Sequence, residues 1–226
     1  MEPLSLFKKT VYFLLGKYKH LTKRAANFFF DLCYGLDTRH HVSIEVLGTD
    51  PTLCYGYEAT DWISFKSVLK RLDIKSTDTF LDLGSGKGRA LLIASEFPFR
   101  KIIGVEISKE LCDLARKNVE RYLQRKKAQC GHIEIVNANA FTYRVPSEVS
   151  VLYLADPFPG KTLDRVLNNL VGLVKIDLRR VLVIYGGSQF CGKFTAFSNI
   201  KELPSVSGYQ FYKIYEFSPN PAVCVL

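Results

Sequence analysis

Residues 79–90 read T-F-L-D-L-G-S-G-K-G-R-A, and the punctuation of this stretch decides the fold. A short apolar run ends in Asp82, glycines follow at alternate positions (Gly84, Gly86, Gly88), and an apolar helical pattern resumes at Leu91, Leu92 and Ala94. That order is strand, tight turn, helix start. Alternating glycines let the backbone approach a ligand at the carboxyl end of the strand, and the free N–H groups of the first helical turn face it. Asp82 is then expected to order the loop and to reach a cationic group or a hydroxyl. Spacing excludes two other glycine-rich loops. A phosphate loop needs Ser or Thr after its lysine, but Lys87 is followed by Gly88, and the dinucleotide fingerprint started at Gly84 needs glycine where Arg89 stands.

The next strand, predicted over Lys101 to Ile107, ends in Glu106 and is followed by Ser108. Glu106 lies 18 positions after Gly88, near the spacing of about 20 at which an acid reaches ribose hydroxyls. A surface acid beside a helix N-terminus is the plainer alternative. The turn D-x-G-x-G-x-G after a strand resembles motif I of the class I S-adenosylmethionine (SAM)-dependent methyltransferases. The resemblance implies SAM as cofactor, held by Asp82, Gly84, Ser85, Gly86, Gly88, Glu106 and Ile107.

The chain has 226 residues, 47% of them apolar, with no internal repeat or low-complexity tract. That suits one α/β domain with an N-terminal extension. The net charge of +9 favours nucleic acid, acidic proteins or anionic lipid without choosing among them. Cys33, Cys54, Cys112, Cys130, Cys191 and Cys224 show no C-x-x-C spacing. They read as reduced thiols of a cytoplasmic protein, with Cys112 on the apolar face of a helix, and no metal site is expected. No apolar run reaches the roughly 18 residues of a membrane span. Lys8, Lys9, Lys17 and Lys19 interrupt any secretory leader.

Leu6 to Phe30 has helical periodicity, with Phe7, Val11, Leu14, Tyr18, Leu21, Ala25 and Phe29 on one stripe and Lys8, Lys9, Lys19, Lys23 and Arg24 opposite. This basic amphipathic helix either caps the catalytic domain, the reading preferred, or lies on an anionic membrane surface through residues 1–30. Residues 1–41 are taken as this helix and a lid-like segment, and residues 42–226 as the domain. Phe30 to His41, F-D-L-C-Y-G-L-D-T-R-H-H, reads as an irregular connection with turn signals. It resembles a pre-core element, F-D-x-x-Y-G-x-D-T, of a bacterial-type group of class I methyltransferases, and the likeness continues through Y-G-Y-E-A-T-D-W at Tyr55 to Trp62. By that resemblance Tyr57 and Thr60 contact the cofactor near its methionine end. Thr60 also reads as the N-cap of a helix burying Trp62, Phe65, Val68, Leu69 and Leu72.

Farther along, Ser108 reads as the cap of a helix that ends in a solvated basic cluster, Arg125 to Lys127. A third strand, His132 to Val136, leads into N-A-N-A-F, with His132 structural. Class I methyltransferases commonly place such an N-A pair against adenine, which implies Asn139 and Ala140, with Asn137 as the alternate register and a simple turn as the plain reading. A fourth strand, Val151 to Ala155, ends in D-P-F-P-G. This resembles the [DN]-P-P-[FYW] motif of amino-group methyltransferases and the shorter N-P-F form of some lysine methyltransferases. By that likeness Asp156, Pro157 and Phe158 carry catalysis, and Asp156 also borders the cofactor.

A helix through Leu163 and Val174, a fifth strand over residues 179–185, and two tail strands, Phe194 to Ile200 and Gln210 to Phe217, complete the pattern. The expected fold is a doubly wound, mostly parallel seven-stranded α/β sheet closed by an antiparallel hairpin, plus the N-terminal helix. The implied activity is SAM-dependent methyl transfer to nitrogen, on a protein lysine or small amine. Alternatives are a nucleic-acid base or other small molecule as acceptor, or a SAM-binding peripheral membrane protein without catalysis. No Ser-His-Asp order, metal-binding helix or kinase set suggests another chemistry.

Overall fold

The computed structural model describes residues 23–47, 50, 55–156, 158, 160–177, 180–204 and 211–219. Expectations for residues 1–22, Cys54, Pro157 and Cys224 lie outside these. One seven-stranded sheet runs in the order β3-β2-β1-β4-β5-β7-β6. Its strands are β1 (Thr79–Leu83), β2 (Lys101–Glu106), β3 (Ile133–Asn137), β4 (Val149–Leu154), β5 (Val181–Gly186), β6 (Ile200–Glu202) and β7 (Tyr212–Phe217). The first five are parallel, and β7 lies antiparallel between β5 and β6. Chain order reverses between β1 and β4, so the crevice at their carboxyl ends is where an open α/β sheet binds its ligand.

The central strands are apolar on both faces because helices cover both. Leu81 and Leu83 of β1 join Leu152, Val183 and the inner side of α6 (Gly160–Asp177) in one core, through Leu163, Val166, Leu167 and Leu170. Phe80, Ile102 and Tyr153 point the other way, onto α3 (Trp62–Leu69) and α4 (Arg89–Ala94). Alternation along each strand therefore fills two separate cores. Cys112, on α5 (Lys109–Arg125), is fully buried, and burial pushes its thiol up to about 11.

Local signals placed most elements and missed some. Ser108 caps α5 by accepting from the Leu111 N–H at 3.3 Å, and Glu110 receives the Ser108 hydroxyl. Thr60 is not the cap of α3. Asp61 takes that place, accepting from Ser64 N–H at 2.8 Å, because its carboxylate also receives Asn27 Nδ2. In the tail the first predicted strand is displaced. Cys191–Phe194 form a short helix, α7, and only Ile200–Glu202 pair with β7. Phe194 is drawn out of a strand by stacking on Tyr215, its rings 4.2 Å apart and nearly parallel.

Ahead of the sheet, residues 23–34 form α1, so the helix runs on into the segment read as an irregular connection; α2 (Ile44–Leu47) follows. The face of α1 that packs on the domain is not the expected stripe. Asn27 binds the start of α3, Phe30 packs on Trp62 and Tyr122, and Asp31 is buried, while Phe29 of the stripe is 58% exposed. The basic end of α5 is likewise no merely solvated terminus. Arg121 and Arg125 donate to the Gly35 and Cys33 carbonyls at 3.2 Å, and Lys126 pairs with Glu96. The two arginine contacts clamp the end of α1 and the residue that follows it to the domain.

The deepest of the N-terminal contacts is ionic. Arg89, 1% exposed, donates to Asp31 at 3.1 Å and to Thr38 Oγ1 at 2.7 Å, and the Thr38 hydroxyl returns to Asp31. Removing one partner of such a pair leaves the other charge buried and uncompensated, which costs roughly 3–5 kcal/mol. Asp31→Ala is therefore expected to destabilise the fold by about that amount in urea unfolding, and a loss under about 1 kcal/mol would show that Arg89 finds other solvation.

Candidate active site

The glycine turn forms the floor of a cavity of about 480 Å3 at the switch point. Gly84, Gly86 and Gly88 all have positive φ (86°, 52° and 85°), a region open to glycine at no steric cost. At Gly86 space is also closed, since a Cβ would lie 2.1 Å from the Tyr57 ring. Tyr57 is held there by donating its hydroxyl to the Thr38 carbonyl at 2.6 Å and by a two-stranded bridge to Val42. Lys87 is buried beneath the same ring, paired with Asp37 at 3.2 Å. From α5, Asn118 donates to the carbonyls of both Asp37 and Lys87. The pre-core segment and the glycine turn are thus one construction.

Of the expected cofactor residues, Tyr57, Thr60, Asp82, Gly84, Ser85, Gly86, Glu106, Ile107, Asn139, Ala140 and Asp156 line this cavity, whereas Gly88 turns the chain behind it. Glu106 accepts from Gly86 N–H and Ser108 N–H, each at 2.9 Å, which leaves lone pairs on both oxygens. Asn139 Oδ1 accepts the Phe141 N–H at 2.9 Å and so builds the turn on which Ala140 sits. Asn137 instead donates to the Glu106 and Ile107 carbonyls and fastens β3 to the end of β2. Thr60, relieved of capping, shares a hydrogen bond with Tyr153 at 3.2 Å.

Two buried polar atoms in this wall have no partner among the described residues: Asp82 Oδ1 and Ser85 Oγ. An unpaired buried carboxylate oxygen is costly unless a ligand completes it. Burial, with the Glu106 charge as the smaller cause, raises the Asp82 carboxyl well above the usual carboxylate range, and burial raises Glu106 as well. A donor to Asp82 Oδ1 and donors to the remaining Glu106 lone pairs are what these atoms lack. Among the described residues no cluster of His, Cys, Asp or Glu is placed to hold a metal ion.

In the same lining, Asp156 follows β4 with φ 49°, the one non-glycine residue at positive φ among those described. Such backbone costs on the order of 1–3 kcal/mol and persists where its surroundings impose it. Tyr185 imposes it by donating to Asp156 Oδ1 at 2.7 Å, and Gly187 leaves the room, since a Cβ there would lie within 3.0 Å of both groups. Phe158, 4% exposed, closes the wall behind, and the exposed rings of Tyr55 and Phe211 border the mouth.

Sequence reasoning did not single out Lys87, Arg89, Asn118, Tyr185 or Gly187. For the first two a signal existed: basic residues at the start of a helix oppose its dipole and need acids from elsewhere. Asp31 and Asp37 supply them.

Switch-point crevice, glycine turn, acid at the end of β2 and antiparallel β7 together define the fold of the class I SAM-dependent methyltransferases. Comparison with known proteins agrees. A family model described as histone methylation protein DOT1 matches residues 51–149. A putative methyltransferase of Escherichia coli is similar in structure with TM-score 0.54 at 18% identity, over 72% of this chain and 89% of that one. Magnesium protoporphyrin IX methyltransferase of Synechocystis, solved with bound SAM, gives TM-score 0.51 at 12% identity, over 70% of this chain and 79% of its own. Mitomycin 7-O-methyltransferase also gives 0.51, at 18% identity over 70% of this chain, which spans about half (53%) of that enzyme. No curated protein matches the sequence.

The Asp82 environment has a thermodynamic consequence. The folded chain keeps this proton to higher pH than the unfolded chain does, so stability without ligand falls as pH rises from the ordinary carboxylate range through the folded value. Asp82→Asn is expected to flatten that slope, leaving the part Glu106 contributes. An unchanged pH dependence of thermal unfolding would contradict the assignment.

Proposed function

We propose that the protein is a SAM-dependent methyltransferase acting on a nitrogen acceptor, a protein lysine or small amine. The observation that carries this is the unpartnered Asp82 Oδ1 in the lining of a cavity that Asp156 also lines. When bound, SAM supplies a methyl group on a sulfonium that departs as a neutral thioether. Asp82 and Ser85 would hold the cationic amino-acid end, Glu106 the ribose hydroxyls, and Asn139 with Ala140 the adenine edge. Tyr57 and Thr60 would cover the methionine end, and Gly86 lets the backbone come close.

Such a transfer needs chiefly alignment and exclusion of water, which can supply about 7–11 kcal/mol of barrier reduction. The second oxygen of Asp156, with Oδ1 fixed by Tyr185, would accept from the acceptor N–H, direct its lone pair at the methyl and receive a proton after transfer. Pro157, outside the described residues, would add its carbonyl, and Phe158 gives an apolar wall. The match to a histone methylation family and the D-P-F motif favour an amine over an oxygen acceptor.

Isothermal titration with SAM is expected to show binding, and silence at high micromolar SAM would overturn the reading. Radiolabelled methyl transfer into fractionated lysate is expected to label protein or small amines; label confined to nucleic acid would move the acceptor class. Asp156→Ala should lower kcat by about a hundredfold or more while SAM affinity stays within about threefold.

A further inference from the structure

Beside the active site lies a second cavity, of about 580 Å3, lined by Arg24, Phe28, Arg39, His40, His41 and Glu58. Its cations exceed its single carboxylate. Among the described residues Arg24 has no acid partner and Arg39 donates only to His40, at 3.3 Å, with its guanidinium 4.7 Å above the Phe28 ring. Methyl transfer as proposed uses none of these groups.

The cavity is continuous with an apolar surface through Phe28. On a helix of 100° per residue, Phe28, Phe29 and Leu32 share the arc opposite the docked Asn27, Phe30 and Asp31. They are 42%, 58% and 63% exposed. The expected sequence stripe ends on this arc at Phe29. Large apolar side chains grouped on a surface mark an interaction site. Here apolar groups stand outermost and guanidinium and imidazole groups stand beside them, the layering of an element lying at a bilayer's acyl and headgroup boundary.

We infer that α1 and the Arg24–Arg39–His40–His41 cavity form a docking surface for an anionic lipid bilayer, with Phe28, Phe29 and Leu32 inserted among acyl chains and the cavity taking a headgroup phosphate. Charge complementarity favours this occupant, since Lys8, Lys9, Lys17 and Lys19 precede it in sequence without an acid among them. A nucleic-acid backbone would satisfy the cations but would leave Leu32, which has no ring to stack, in water.

Sedimentation of the full chain with phosphatidylcholine vesicles, with and without phosphatidylserine, tests it. Binding is expected only with phosphatidylserine and should weaken as salt rises. Arg24→Gln with Arg39→Gln should weaken partition about twenty-five-fold, at about fivefold per charge, and Phe29→Ser with Leu32→Ser by about tenfold or more. Each double variant should keep the wild-type melting temperature, which separates lost docking from lost fold. Equal binding to both vesicle types, or indifference to either double variant, overturns the inference. So does RNA binding that depends on these residues without vesicle binding. SAM titration is read in parallel, so failure here stays distinct from failure of the methyltransferase reading.

Discussion

The buried contact between Arg89 and Asp31 is the constraint on which the site depends. Arg89 opens the helix that follows the glycine turn, and Asp31 lies in α1, 58 positions earlier in the chain. Thr38 closes the triangle and passes it on, because its carbonyl receives the Tyr57 hydroxyl and Tyr57 occupies the space beside Gly86. Three separate stretches of chain are thereby fixed against one turn. A charge this deep is tolerable only when it is paired and hydrogen-bonded, and the Thr60 carbonyl takes a further Arg89 N–H. The cavity wall that Tyr57 and Thr60 form is thus held by the same guanidinium that begins α4.

Against that rigid frame the cavity leaves a few groups unfinished. Backbone N–H groups hold both Glu106 oxygens in place, and Tyr185 holds one Asp156 oxygen, so each acid is oriented yet keeps accepting capacity. Asp82 differs in that one oxygen has no partner among the described residues. Strain at Asp156 and the orphaned oxygen at Asp82 lie at the ends of adjacent strands, β4 and β1. Both are costs that folding alone gives no reason to keep. Their convergence on one crevice argues for ligand chemistry there more strongly than the glycine pattern alone, which other nucleotide-binding folds share.

Most of the sheet was legible in sequence because its signals are local. Asp82, the alternating glycines and Glu106 sit at strand ends fixed by short apolar runs, and Ser108 caps a helix by a hydrogen bond three residues long. What was not legible depends on distant partners. Asp61 outcompetes Thr60 as a cap because Asn27, 34 positions away, orients its second oxygen. Phe194 leaves a strand pattern because Tyr215 stacks on it across the sheet edge. Tyr185 reads as one more apolar residue of β5 until Gly187 brings Asp156 within reach of its hydroxyl. Lys126 reads as a solvated helix end until Glu96 and the rings of Tyr34, Trp62 and Tyr122 surround it.

The rotational setting of α1 follows from the same contrast. Periodicity alone puts Phe29 inward, whereas the structure puts Phe30 and Asp31 there. Rotating the helix by one residue would bury Phe29 but expose Phe30, whose ring packs on Tyr34, Trp62 and Tyr122, so the apolar gain and loss nearly cancel. What does not cancel is Arg89, which would lose Asp31 at a cost of roughly 3–5 kcal/mol. Asn27 would in the same motion lose the Trp62 N–H and the Asp61 carboxylate. Polar contacts therefore choose the phase of a helix whose hydrophobicity leaves it undecided, and the face left outside is the more apolar one because the ionic face is the one that can be completed within.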